Sequence, residues 1–185
     1  MLKKISHGIV NKMNKVYPRS EEDTQKIEYY TEILLDQILI LAVVFILCAI
    51  VGYHKEALIS YTGFLALRSF AGGLHFKKRI WCLSVTGLIA LLGGLVIYKF
   101  SIPITACLVL LLIDLILVVA FAPQVTKNNP ITPKFKKIRK VESVVVIGIF
   151  IGILFISHGI WGKGLAIGAS LATITILPIF MKLTE

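Results

Sequence analysis

Cysteine is scarce in this 185-residue chain, and its three copies are scattered at Cys48, Cys82 and Cys107. Three dispersed thiols do not make the disulfide framework of a small secreted domain. No CxxC pair and no His/Cys group with zinc spacing occurs, so neither a metal site nor another cofactor is expected. A cleavable export signal is not expected either, because residues 1–19 contain no apolar core of the kind such signals need. Acidic residues are few, ten against twenty Lys and Arg.

What the chain has in abundance is apolar surface. Hydrophobic residues make up 57% of it and mean hydropathy is +0.86, well above the roughly 45–50% apolar content of soluble domains. The expected fold is all-α: one polytopic integral membrane domain spanning 1–185, with an N-terminal region over 1–30 and a helical bundle over 33–181. Six apolar segments run over about 33–53, 57–75, 80–100, 102–122, 142–158 and 160–181, each near the ~20 residues that cross a bilayer. The second carries Arg68 and the pair Gly72-Gly73, which marks it as a broken or re-entrant helix rather than a clean span.

In the N-terminal region Leu2, Ile5, Ile9, Met13 and Val16 recur every three or four positions opposite Lys3, Lys4, Lys12 and Lys15. That is the pattern of an amphipathic helix on an anionic membrane surface, and equally of a helix packed on the protein's own face. Pro18 ends it, and Ser20 before Glu21, Glu22 and Asp23 is the natural N-cap of the next helix.

Basic residues alternate along the chain. Six lie in the N-terminal region, three at 77–79, six in the 123–141 loop and one at the C-terminus, against Lys55, Lys99 and Lys163 in the intervening loops. The positive-inside rule then places both termini and the 75–82 turn in the cytoplasm of a multi-pass cell-membrane protein. Because membrane orientation accounts for these charges, nucleic acid is not an expected partner. Lys134, Lys136 and Lys137 fall in a loop with Asn128, Asn129, Pro130 and Pro133, a solvated basic patch that serves topology or attracts an acidic partner.

One stretch carries chemistry: Arg68-x3-Gly72-Gly73-x-His75-x6-Cys82, with Lys77, Lys78 and Arg79 between the histidine and the cysteine. A thiol attacks as thiolate, and an adjacent imidazole or positive field lowers its pKa toward working pH. On one straight helix seven residues hold the pair about 10 Å apart along the axis, beyond the roughly 2.6–3.2 Å reach of a general base. A turn must intervene, and the charged run at 76–79 is the place for it, since three cations are costly in hydrocarbon. Arg68 is costly within a membrane segment and calls for a polar cavity or a partner. Asp114, the other lone intramembrane charge, reads as a packed structural acid, with Arg68 as one conceivable partner. Cys48 and Cys107 read as small buried hydrophobes, and His7, His54 and His158 as interfacial or loop residues. From the residues alone, three classes stay open: a membrane thiol enzyme, a small helical transporter with Arg68 and Asp114 along its path, and a non-catalytic adaptor.

The Arg68…Gly72-Gly73…His75…Cys82 run resembles the active-site region of the accessory gene regulator B (AgrB) family. Length, hydropathy profile and the loop from Ala122-Pro123 to Pro130-Ile131 with its basic tail are similar to that family as well. The resemblance implies a cysteine endopeptidase of quorum sensing. It would cut the C-terminal tail from an AgrD-type propeptide and close the remainder into a thiolactone or lactone, the precursor of an autoinducing peptide. It implies Cys82 as nucleophile, His75 as general base and acid, and Arg68, Gly72 and Gly73 in support. An acidic substrate tail would suit the cations Lys77, Lys78, Arg79, Lys134, Lys136 and Lys137. Gly148-x3-Gly152 and Gly164-x3-Gly168 permit close helix packing inside the bundle or in a homodimer, which the resemblance favours.

Overall fold

The computed structural model describes residues 2–73, 79–124, 133–157 and 159–181, and every regular element among them is a helix. In order these are α1 (Leu2–Val16), α2 (Glu21–Val51), α3 (His54–Ala71), α4 (Arg79–Lys99), α5 (Ile104–Phe121), α6 (Pro133–Ser157), α7 (Ile160–Ile176) and a single turn, α8 (Pro178–Met181). The chain is an all-α membrane protein, and it divides into two compact units, Met1–Val43 and Val44–Glu185.

In the first unit the expected cap is in place. The Ser20 hydroxyl accepts a hydrogen bond from the Asp23 amide at 3.2 Å and donates to Asp23 Oδ2 at 2.7 Å, so one orphan amide of α2 is satisfied. His7 Nδ1 lies 3.3 Å from Glu28 Oε2, and Asn14 Nδ2 donates to Thr24 Oγ1 at 2.8 Å, which folds α1 back along the start of α2. Ser6 and Val10 are buried, whereas Ile5, Ile9, Met13 and Val16 stay exposed.

In the second unit α3 and α7 run parallel at the centre, and glycine allows their close approach. A Cβ on Gly63 would sit 2.6 Å from the Leu165 carbonyl oxygen, and one on Gly168 would collide with the Ser60 carbonyl. Gly94 of α4 likewise lets Ala57 of α3 approach, a Cβ there falling 2.7 Å from the Ala57 Cα. Gly164-x3-Gly168 therefore serves the interior of the bundle, while Gly148 and Gly152 meet nothing within 4 Å. From α5 the buried line is Cys107, Leu111, Asp114 and Val118, spaced by four, three and four, so one stripe faces inward. The core joins Phe64, Leu67, Leu111, Val118, Ile147, Leu154 and Ile176.

The outward faces are apolar too. Ile116, Ile149 and Ile156 are exposed, the last at 84%, as suits side chains that meet lipid rather than water. Stretches of α2, α5 and α6 are long and apolar enough to cross a membrane; apolar stretches of α4 (Ser84–Lys99) and α7 are shorter. At 17 residues, α7 is about 25 Å long. It lies largely buried within the protein, a setting that tolerates a shorter apolar helix.

Two boundaries differ from the sequence expectation. The second apolar segment is helical from His54 only to Ala71, and it breaks at Gly72 (φ 74°) and Gly73 (φ 136°), the pair the sequence marks, near its end rather than in its middle. The helix expected from 142 begins at Pro133, so Lys134, Lys136 and Lys137 are helical rather than in a loop. The reason is local: proline fits the first helical position, and Lys and Arg are good helix formers. Hydropathy alone cannot see a polar helical extension.

Candidate active site at the end of α3

The last turn of α3 must satisfy carbonyls that have no intrahelical donor. The Gly72 amide closes on the Arg68 carbonyl at 3.0 Å. Beyond it the chain of α3 can no longer help, and other elements take over. The Gln124 amide, just past α5, donates to the Ala71 carbonyl at 3.0 Å. Arg139 of α6 reaches the Ser69 carbonyl with Nη1 at 3.5 Å, and its guanidinium lies 5.5 Å over the centre of the Phe70 ring. Arg139 is held in turn by Glu142, 3.4 Å away on the next turn of α6.

The two glycines are required by this setting. A Cβ on Gly72 would lie 2.6 Å from the Gln124 carbonyl oxygen, and one on Gly73 would lie 2.7 Å from Thr175 Oγ1 on α7. Both also hold positive φ, which costs any residue with a Cβ. The result is an elbow: α3 ends, the chain turns between the α5 exit and the α7 terminus, and four residues after Ala71 comes His75. The described helix α4 runs from Arg79 and carries the Cys82 backbone. His75, Lys77 and Lys78 lie outside the described residues, as do the side chains of Arg79 and Cys82.

Arg68 is half-buried one turn before the elbow, its guanidinium 5.3 Å over the centre of the Phe64 ring, a cation–π contact. Asp114 lies elsewhere in the bundle. It is 3% exposed, and its Oδ2 accepts from Ser170 Oγ at 2.7 Å. A buried carboxyl bonded to a neighbouring helix suits the packing role expected of Asp114. Lys134, Lys136 and Lys137 are exposed on the first turns of α6. No group of His, Cys, Asp and Glu suited to a metal ion is found among the described residues.

Gln124, Arg139 and Thr175 are not singled out by sequence. Arg139 sits in a run of six cations where none stands apart, and Thr175 sits in an apolar helix where threonine is unremarked. Only the parallel course of α3, α5 and α7 brings the three to one end.

A glycine elbow at one end of an apolar helical bundle, followed in the sequence by His75 and Cys82, defines a polytopic helical membrane protein. Comparison with known proteins gives the family. The family model for accessory gene regulator B matches residues 3–181. An accessory gene regulator protein B from Staphylococcus intermedius is 30% identical over 136 residues, covering 72% of this chain and 71% of that protein. The protein of the same name from Staphylococcus aureus (strain bovine RF122 / ET3-1) is 28% identical over 149 residues, 80% of each chain. This chain belongs to the accessory gene regulator B family. No solved structure matches it.

Proposed function

We propose that this protein is a membrane cysteine endopeptidase and peptide cyclase of a quorum-sensing system, acting on an AgrD-type propeptide. The observation that carries the reading is the elbow: α3 ends at Ala71, and the chain leaves helical geometry at Gly72 and Gly73, two residues before His75. The reading requires a turn between His75 and Cys82, because a single straight helix would hold them too far apart for proton transfer. Family membership supports the same reading.

In the proposed reaction His75 takes the Cys82 proton, and the thiolate attacks the scissile carbonyl of the propeptide. Collapse of the tetrahedral adduct breaks the peptide bond. The imidazolium of His75 protonates the departing amine of the C-terminal tail, leaving an acyl-enzyme thioester. A thiol or hydroxyl within the propeptide then attacks that thioester, its proton passing to His75 and on to the Cys82 thiolate as it leaves. Thioester for thioester is nearly balanced in free energy. The internal nucleophile prevails over water through its high effective concentration, in effective-molarity terms up to about 10⁵–10⁸ M for well-oriented groups. Walls of apolar helix help by limiting water. Arg68 and the glycines shape the approach to His75, and the cations Lys77, Lys78, Arg79, Lys134, Lys136 and Lys137 attract the acidic tail. In this reading the site faces the cytoplasm, α1 rests on the anionic lipid of the inner leaflet, and two copies pair in the membrane.

The test is propeptide processing by variants of the full chain in membranes. Cys82→Ala and His75→Ala are expected to insert normally and to leave the propeptide uncut. A Cys82→Ala protein that trims it at the normal rate would overturn the assignment and favour a transporter or adaptor.

A further inference from the structure

The end of α3 is gripped by three elements that do not themselves carry the histidine or the cysteine. Gln124 closes the Ala71 carbonyl and abuts Gly72. Thr175 abuts Gly73 from the end of α7. Arg139 closes the Ser69 carbonyl from α6 and stacks on Phe70. A cation at a helix C-terminus is stabilised by the orphan carbonyls and by the negative end of the dipole. Here that interaction also sets direction, because the chain leaves α3 through two glycines whose conformational freedom would otherwise leave its path undetermined.

We propose that Arg139 and Thr175 are positioning residues for His75. They fix the direction in which the chain leaves α3 toward His75. This rests on the peptidase reading above and adds residues to it. Arg139 differs in role from Lys134, Lys136 and Lys137, which are free on the helix surface to meet an acidic tail: its guanidinium is committed to Ser69, Phe70 and Glu142. A residue that attracts substrate affects KM; one that aligns the base affects kcat.

The experiment uses the full chain in vesicles with a fluorophore-tailed AgrD-type propeptide, together with alkylation of Cys82 by iodoacetamide across pH. Arg139→Ala is expected to lower kcat by about ten- to a hundredfold, the range that small misalignments cost, with KM within about twofold of the parent. Its Cys82 alkylation profile is expected to move to higher pH, as a thiol that has lost its imidazole should. Arg139→Lys, which keeps a cation and a donor for the Ser69 carbonyl, is expected to recover most of the rate. Thr175→Ser is expected to be near normal, and Thr175→Leu, which would crowd Gly73, to repeat the Arg139→Ala pattern. An unchanged kcat, or a rise in KM alone, for Arg139→Ala overturns the proposal. Cys82→Ala run alongside separates the two claims. If it still cuts the propeptide, the peptidase reading fails. If it is inactive while Arg139→Ala and Thr175→Leu keep the parent kcat and alkylation profile, only the positioning role fails.

Discussion

Gly73 holds φ 136° with Thr175 Oγ1 2.7 Å from the place a Cβ would occupy, so it is constrained twice, by backbone and by space. Gly73→Ala must therefore move the elbow, and propeptide processing is expected to fall by about ten- to a hundredfold in a protein that reaches the membrane at normal levels. Adding Thr175→Ala removes the steric half of the constraint but not the backbone half, so the double variant should recover only in part; an immunoblot of propeptide and product reads both. Asp114 makes the opposite case. It is buried with the Ser170 hydroxyl donating to it, and the Asn amide oxygen can accept the same bond. Asp114→Asn is expected to process normally, whereas Asp114→Leu should lower stability by about 1 kcal/mol for the lost hydrogen bonding, seen as a lower melting temperature in detergent. Loss of processing in Asp114→Asn would return the carboxylate to a functional path of the transporter kind. At this scale the sequence marks residues by rarity of type, a histidine, a cysteine, an arginine in an apolar segment and a glycine pair, and of these the structure describes Arg68 and the two glycines at the end of α3. Arg139 does not stand out, because one cation among six has no local mark, and its role comes from an α3 carbonyl seventy residues away.

Helices were legible where they carry a period or a cap. α1 appears with the stripe its spacing predicts, and α2 starts at the Ser20 cap. The sequence left open where that stripe faces. In the structure Ile5, Ile9 and Met13 are each about two-fifths exposed and Val16 is more so, which leaves them available to a lipid surface. With Lys12 and Lys15 beside them, an interfacial setting follows from apolar burial plus attraction to anionic headgroups. In a chain with Trp81 and Trp161 replaced by Phe, Ile9→Trp should then show a blue-shifted fluorescence that brominated lipid quenches in anionic vesicles; a spectrum like that of tryptophan in water, unquenched, would rule this out. α5 and α6 show why other features were hidden. In α5 both the inward stripe and the lipid-facing surface are apolar, so nothing but Asp114 marks which side is inside. In α6 the helix extends through a basic stretch that hydropathy assigns to a loop.

Across the bundle, the parallel course of α3, α5 and α7 sorts the connections into two sets. The α3 exit, the α5 exit, the Arg139 turn of α6 and the end of α7 meet at one end, through Gln124, Arg139 and Thr175. The α4–α5 and α6–α7 connections meet at the other, where Ile97, Tyr98, Lys99, Phe100, Ser101, Gly159, Ile160 and Lys163 line a cavity of about 400 Å³. The counts of Lys and Arg follow the same division, dense at the elbow end and sparse at the cavity end. Lys and Arg bias of this kind sets orientation in short-looped membrane proteins, and the elbow end should therefore be cytoplasmic. Single cysteines in a chain lacking Cys48, Cys82 and Cys107 test this directly. In intact cells a membrane-impermeant maleimide is expected to label Lys99→Cys at once and Lys137→Cys only after the membrane is opened. The reverse pattern would place the His75–Cys82 segment outside the cell, where a propeptide made in the cytoplasm would have to cross before it could be cut. Labelling of both from outside would mean that α5 does not carry the chain across, and that the two ends share one side of the membrane.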